Sequence, residues 1–501
     1  MGRGRFASAL LVGVVVGLSS TTVRAAPPDD PAPAPARAAH AAPPTTSPLD
    51  LVRKSDERRG EYEALDYQAQ LVRGTVDNLV DTVGTTVGDP ERLFHVALCS
   101  TRTQACGGDF RLYDFERRGR GLQRPVVFTA RNGSTISGHV WATKAGPAKR
   151  PLVVITNGSI QASEQLYWWA AQTLAKAGYV VVTSDPQGQG RSDLLGAGPD
   201  VFEGVHSQIA GDTFYDGTQD ALDFALSTPE RPYCPRPSRS GTSHCDKQRR
   251  RVAADRATAH NPLWEMVDPD RIGLAGHSYG ASGVSWVGQQ DPRVDAVVAW
   301  DRLCDPSATP ATCSTGGTGG PVPLRVPSLS LTADSFLGLE PLLQPAPDPD
   351  AKGAASRAFS ARGIDSGTIV IRGGTHFEFS YIPLSAFRAT FRGIDLAAWY
   401  TLAWFDRYVK GDATAERRLL TDRWRHDPVD ADVDPDGGGN LFSELSRSRL
   451  DVGRVDGARF RCEDLRIGCA GQADDGEAPG WGYLKVATAP DGAEARRPTG
   501  P

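Results

Sequence analysis

The chain has 501 residues, enough for one large domain or two ordinary ones, and is 40% hydrophobic and 23% charged, as a globular protein would be. Its formal net charge is −5, and no Lys/Arg run or basic stripe stands out, which argues against nucleic acid as a partner.

Arg3 and Arg5 precede an apolar run over residues 9–18, and Val23-Arg24-Ala25, or Ala26, offers a small-residue cleavage site. The pattern is that of an export signal over residues 1–25, with an apolar run too short to span a bilayer comfortably. No later apolar run would form a stop-transfer segment, so no integral membrane segment is expected after cleavage, and the expected location is extracellular. The eight cysteines fall into four close pairs, Cys99/Cys106, Cys234/Cys245, Cys304/Cys313 and Cys462/Cys469. In an exported chain an even count reads as disulfides, here with local pairing. No pair has the C-x2-C spacing with a matching second half that zinc requires.

Residues 26–49, rich in Pro and Ala, read as a disordered linker. Residues 50–122 read as an N-terminal helical extension, with Leu51, Tyr62, Leu65, Tyr67, Leu71, Val76 and Leu79 at helical intervals. From residue 123 to 425 the pattern is that of the main domain. Residues 126–128 and 136–141 flank Arg131-Asn132-Gly133 and predict a hairpin. Short apolar runs over 152–155, 179–183, 272–275, 294–300, 328–331 and 368–371 predict buried strands. Helices are predicted over 164–177, 220–226, 279–289 and 396–409. Strands alternating with helices imply an α/β fold, a mostly parallel central sheet with helices on both faces. Residues 229–262 are polar and Arg-rich and read as a surface insertion, and residues 426–501 as an irregular C-terminal tail with one disulfide.

Gly276-His277-Ser278-Tyr279-Gly280 lies between a predicted strand and a predicted helix. G-x-S-x-G in that setting is a nucleophile elbow, which exposes a serine hydroxyl on a strained turn at a helix N-terminus. Ser278 is therefore the candidate nucleophile. Its base must follow it in the order Ser, acid, His, and only His376 and His426 do so. His376 is favoured because it follows a buried strand directly. The acid is sought among Asp301, Asp305, Asp334, Asp348, Asp350 and Asp365. Asp334, just past a buried strand, is favoured, while Asp301 and Asp305 follow the preceding strand. Backbone N–H groups of Tyr279 and of Ser159, with Ile160 second, are the candidate oxyanion donors. The glycine-rich residues 185–192 lack the Walker lysine and the dinucleotide spacing, and read as a tight turn. In the tail, Asp432, Asp434, Asp436 and Gly437 resemble the start of a calcium loop, but Ser443 stands where the closing Glu belongs, so an acidic solvated loop is the competing reading. No cofactor is otherwise expected.

Together these residues resemble the α/β-hydrolase superfamily, and within it the bacterial cutinase, polyester hydrolase and lipase group, near the dienelactone hydrolases. The resemblance covers residues 126 to 425 and is carried by the residues 153–159, 268–280, 326–329, 374–377 and 400–412. It implies a serine esterase, with Ser159 on the oxyanion loop. Trp300 matches a substrate-stacking tryptophan of the group, or is a buried strand-end residue. The expected partner is a small or polymeric ester. The same triad would also serve an acyltransferase, and the scaffold alone would serve a non-catalytic secreted binding protein. Acyl-chain length and oligomeric state are not encoded in any motif.

Overall fold

A computed structural model describes residues 121–159, 163–204, 212–308, 313, 321–335, 349–380, 391–421, 448–465 and 468–473. The signal, the linker, the N-terminal extension, Cys99/Cys106 and the residue 432–437 loop lie outside the described residues.

Ten strands form one sheet: β1 Gly121–Thr129, β2 Thr135–Thr143, β3 Arg150–Thr156, β4 Val180–Ser184, β5 Val267–His277, β6 Ala296–Trp300, β7 Ser328–Ser335, β8 Ser366–Thr375, β9 Arg449–Gly453 and β10 Arg459–Cys462. The helices are α1 Trp168–Lys176, α2 Asp212–Ala225, α3 Cys245–Ala253, α4 Tyr279–Gln290, α5 Pro349–Ala361, α6 Phe391–Tyr408 and α7 Ala415–Leu419. The spatial order is β1-β2-β4-β3-β5-β6-β7-β8-β9-β10. The six strands from β4 to β8 in that order run parallel, and the hairpins at the two ends are antiparallel. Helices on both faces of such a sheet make the α/β-hydrolase fold, consistent with the broad superfamily of that name.

The hydrophobic alternation explains the layers. Val153 and Ile155 of β3, Val181 of β4, Ala275 of β5 and Val298 of β6 point to one face, where they pack with α1 and α6. Leu152, Val154, Val180, Val182, Leu274 and Val297 point to the other, against Leu222 and Phe224 of α2 and Val284 and Val287 of α4. Each strand thus reads as a continuous apolar run because both faces are covered. Each buried Val, Leu or Ile contributes about 1.5–3 kcal/mol.

The strand order also positions the site. The chain leaves β3 toward β4 on one side and returns through β5 on the other. The carboxyl ends of β3 and β5 therefore flank a topological switch point, where a crevice opens in doubly covered sheets.

Several elements differ from expectation. The predicted helix over 164–177 begins as a 3-10 turn, Glu164–Tyr167, before α1, and the Asp185 carboxylate takes the unpaired Glu164 N–H at its start (2.6 Å). The insertion contains α3 and covers the outer edge of β1. Thr258 donates its N–H to the Val127 carbonyl (2.7 Å), and Gln248 accepts the Thr129 N–H (3.0 Å), so side chains and loop backbone replace a neighbouring strand. Residues assigned to the tail supply β9 and β10, which extend the sheet beyond β8. Cys234–Cys245, Cys304–Cys313 and Cys462–Cys469 are disulfides. Among the described residues no helix is long and apolar enough to cross a membrane.

Candidate functional site

β5 ends at His277, and the backbone turns through Ser278 at φ 57°, ψ −121° into α4. A non-glycine residue in that region costs on the order of 1–3 kcal/mol and persists only when its surroundings enforce it. Here they do. Ser278 donates its N–H to the Trp300 carbonyl at the end of β6 (3.1 Å), and its own carbonyl accepts the Ser282 N–H (3.2 Å). A Cβ on Gly276 would strike the Gly280 carbonyl, and one on Gly280 would strike the Thr156 and Asn157 carbonyls. Both glycines of the motif are therefore required by close backbone approach.

The loop after β3 lies against this turn. A Cβ on Gly158 would fall 3.1 Å from the Ser278 Cβ. Ser159 follows, half-buried, and Ile160 lies outside the described residues. Tyr279 opens α4, where first-turn N–H groups and the helix dipole favour negative charge, and its ring stacks on Phe214 with centroids 5.5 Å apart.

His376 begins a short 3-10 turn after β8, capped by the Thr375 hydroxyl, which accepts the Phe377 N–H (3.2 Å). Its ring lies 4.5 Å from the His277 ring, centroid to centroid. The carboxylate on its Nδ1 is that of Asp301. Asp301 directly follows β6 at φ 51°, donates its N–H to the Leu331 carbonyl (2.6 Å), and accepts the Thr332 hydroxyl (2.9 Å). Burial opposes ionisation of Asp301, but His376, through charge and hydrogen bond, and then Lys352 and His277, hold its pKa well below the usual carboxylate range. An imidazole so held at Nδ1 presents Nε2 as the nitrogen able to take a proton.

The expected acid, Asp334, is the seventh residue of β7, and its side chain lies outside the described residues. Asp301 was among the alternatives in sequence, and its signal was a carboxylate directly following the strand beside β5. Of the two readings of Trp300, stacking platform or buried strand-end residue, the structure gives the second. It is completely buried, donates its indole N–H to Thr401 (3.1 Å) and packs with Tyr167 and Trp169, so it has no face left for a ligand.

A buried acidic network supports the loop after β3 from below. Asp185, at the end of β4, accepts the N–H groups of Glu164 (2.6 Å) and Arg191 (2.9 Å) and the Asn157 amide (3.4 Å). Glu164 in turn accepts the Thr183 hydroxyl (2.5 Å) and meets His139 Nδ1 (2.6 Å). Burial, then the neighbouring Glu164, pushes the Asp185 pKa up to about 7. Burial opposes protonation of His139, and Glu164 overcomes it, raising the His139 pKa. The glycine-rich turn over 185–192 thus wraps its own carboxylate, with Gly190 directly against it, rather than cradling a phosphate.

The described contacts of the insertion fall on β1, its turn and α2, and also on the loop after β4, where His244 Nε2 meets Asp200 (2.6 Å). Tyr233 donates to the Thr129 carbonyl (3.0 Å), and Arg236 and Arg239 pair with Asp223 and with Asp212 and Asp216. Among the described residues no cluster of three or more His, Cys, Asp or Glu side chains could hold a metal. No family model matches the chain, and no curated protein matches it either.

Proposed function

We propose that this chain is an exported serine hydrolase that cleaves carboxylic esters through an acyl-enzyme. The observation that carries the reading is the Asp301–His376 carboxylate–imidazole pair, its imidazole 4.5 Å ring to ring from His277, the residue before a serine held at positive φ between β5 and α4. In this reading Ser278 Oγ attacks the ester carbonyl while His376 Nε2 takes its proton. Asp301 holds the imidazole in the required tautomer and stabilises its charged form. The N–H groups of Tyr279 and Ser159 receive the oxyanion. His376 then protonates the departing alcohol, and water, activated by the same nitrogen, releases the acid. Export is favoured by the N-terminal pattern and by three disulfides among the described residues.

Hydrolysis of p-nitrophenyl esters of graded chain length tests this directly. Activity should fall at least about 10⁴-fold in Ser278→Ala, since removing a triad nucleophile removes covalent catalysis altogether. A folded wild type with no activity at any chain length and no fluorophosphonate labelling of Ser278 would overturn the reading. Product yield rising with added alcohol while hydrolysis falls would move it to acyl transfer.

A further inference from the structure

Tyr167 and His277 are both enclosed in protein, and neither takes part in the chemistry proposed for Ser278. His277 Nε2 lies 2.8 Å from the His376 carbonyl oxygen, and His277 Nδ1 lies 2.8 Å from the Tyr167 hydroxyl. The Tyr167 hydroxyl also accepts the Gly158 N–H at 3.0 Å. A carbonyl oxygen can only accept, so Nε2 carries the proton. In a neutral imidazole Nδ1 must then accept, so Tyr167 donates to it and keeps a lone pair for Gly158. All four groups are used once, in one direction: Gly158 N–H to Tyr167 O, Tyr167 O–H to His277 Nδ1, His277 Nε2–H to the His376 carbonyl.

The chain therefore joins three separate loops. One end grips the peptide preceding Gly158, on the loop that carries Ser159. The other grips the peptide of His376 itself. The middle residue immediately precedes Ser278. We propose that Tyr167 and His277 are positioning residues, which set the oxyanion loop and the histidine loop in register with the elbow through this directed hydrogen-bond chain. The proposal rests on the roles given above to Ser278, Ser159 and His376.

Three further features fit it. Burial, with His376 alongside, pushes the His277 pKa down to about 3, so the ring stays neutral and the direction of the chain does not reverse at working pH. A Cβ on Gly158 would crowd both the Tyr167 oxygen and His277 Nδ1 at 3.1 Å, so the glycine admits the tyrosine. The Tyr167 ring lies parallel to Trp300, with interplanar angle 2° and centroids 6.4 Å apart, and both rings are fully enclosed in the core.

The test is a double-mutant cycle in the full-length mature chain. Tyr167→Phe keeps the ring and removes only the hydroxyl, and His277→Leu removes the middle link. Each variant is first shown to melt cooperatively. Each single change should lower kcat roughly 10- to 100-fold with KM within about twofold, because orientation of reacting groups is lost while the substrate pocket is kept. The double variant should lose no more than the larger single loss, because a broken chain cannot be broken again. Histidine-selective ¹⁵N spectra supply a readout independent of turnover. His277 should show the Nε2–H tautomer unchanged from about pH 5 to 8, and its Nδ1 signal should move in Tyr167→Phe. Wild-type kcat in folded Tyr167→Phe, or strictly additive losses in the double variant, would overturn the proposal. If the wild type proves inactive on esters, the function proposed above fails by itself, and a His277 Nδ1–H tautomer would still overturn the chain.

Discussion

The middle of the sheet and its outer edges are held by different means. At the carboxyl ends of β5 and β6 the backbone bends through Ser278, Asp301 and Arg302 at positive φ, glycines admit touching carbonyls, and neutral buried hydrogen bonds tie loop to loop. At the edge beyond β1 the fastening is ionic and covalent. Arg131 reaches Asp216 (3.0 Å) and Asp220 (2.9 Å), and Cys234–Cys245 closes the insertion. The far edge repeats the pattern, with Arg449 on Glu463 (2.8 Å) and Cys462–Cys469 beside β10. Strain is concentrated where the proposed chemistry lies, and most of the fastening lies outside it, with Cys304–Cys313, just past Asp301, the exception among the described bridges. Substitutions in the middle should therefore cost function first, and substitutions at the edges stability first.

The sharpest way to break that contrast is the acid. Asp301→Asn should lower kcat by about 10⁴-fold, because an amide favours the wrong imidazole tautomer, with a modest change in melting temperature. Asp334→Asn, measured beside it, should stay near wild type; the reverse result would transfer the role to Asp334. Next comes Arg131→Ala, which leaves the buried Asp220 without its guanidinium and Asp216 with Arg239 alone. A loss of about 3–5 kcal/mol in chemical denaturation is expected, with kcat of the folded fraction unchanged. Replacing Cys234 and Cys245 together with alanine opens a loop of sequence separation 11 and should cost about 3 kcal/mol, again without loss of kcat. A fall in kcat in the cysteine variant would show that the insertion reaches the site, and one in Arg131→Ala that the turn after β1 does.

The remaining effect is one of pH. His277 is depressed to about 3, so between its ordinary value near 6.5 and about 3 the unfolded chain binds the extra proton. Folding stability from this residue is full above about pH 6.5 and declines as pH falls, by about 1.4 kcal/mol per unit. Asp185, raised to about 7, works the other way, favouring the folded state as pH falls. The difference between wild type and His277→Leu cancels Asp185. It should show the His277 slope alone in denaturation curves from pH 7 to 4.

The central strands were legible because a parallel strand covered on both faces must be an unbroken apolar run, as in Val153-Val154-Ile155 and Val180-Val181-Val182. The elbow was legible because its glycines are demanded by backbone contact, which leaves a residue-type trace. β9 and β10 were not. They are short strands at the far end of the sheet in which Arg449, Asp451, Arg459 and Arg461 alternate with apolar residues, a pattern shared by many polar loops. The acid was ambiguous for a related reason. One aspartate directly follows β6 and another lies near the end of β7, and position along the chain does not say whose carboxylate reaches the β8 histidine across the sheet. That depends on the backbone turn at Asp301, which no motif announces. Nothing in the sequence marks the link between Tyr167 and His277, since a hydrogen-bond chain between three loops has no linear spacing.

The three described disulfides span only 11, 9 and 7 residues. Loop-closure entropy favours the nearest partner, so each thiol meets its mate before it meets any other. None of these bridges staples distant strands together, and none needs the sheet to exist before it closes. Oxidation can therefore accompany emergence of the chain, segment by segment, with little call for a shuffling catalyst to correct mispaired cysteines.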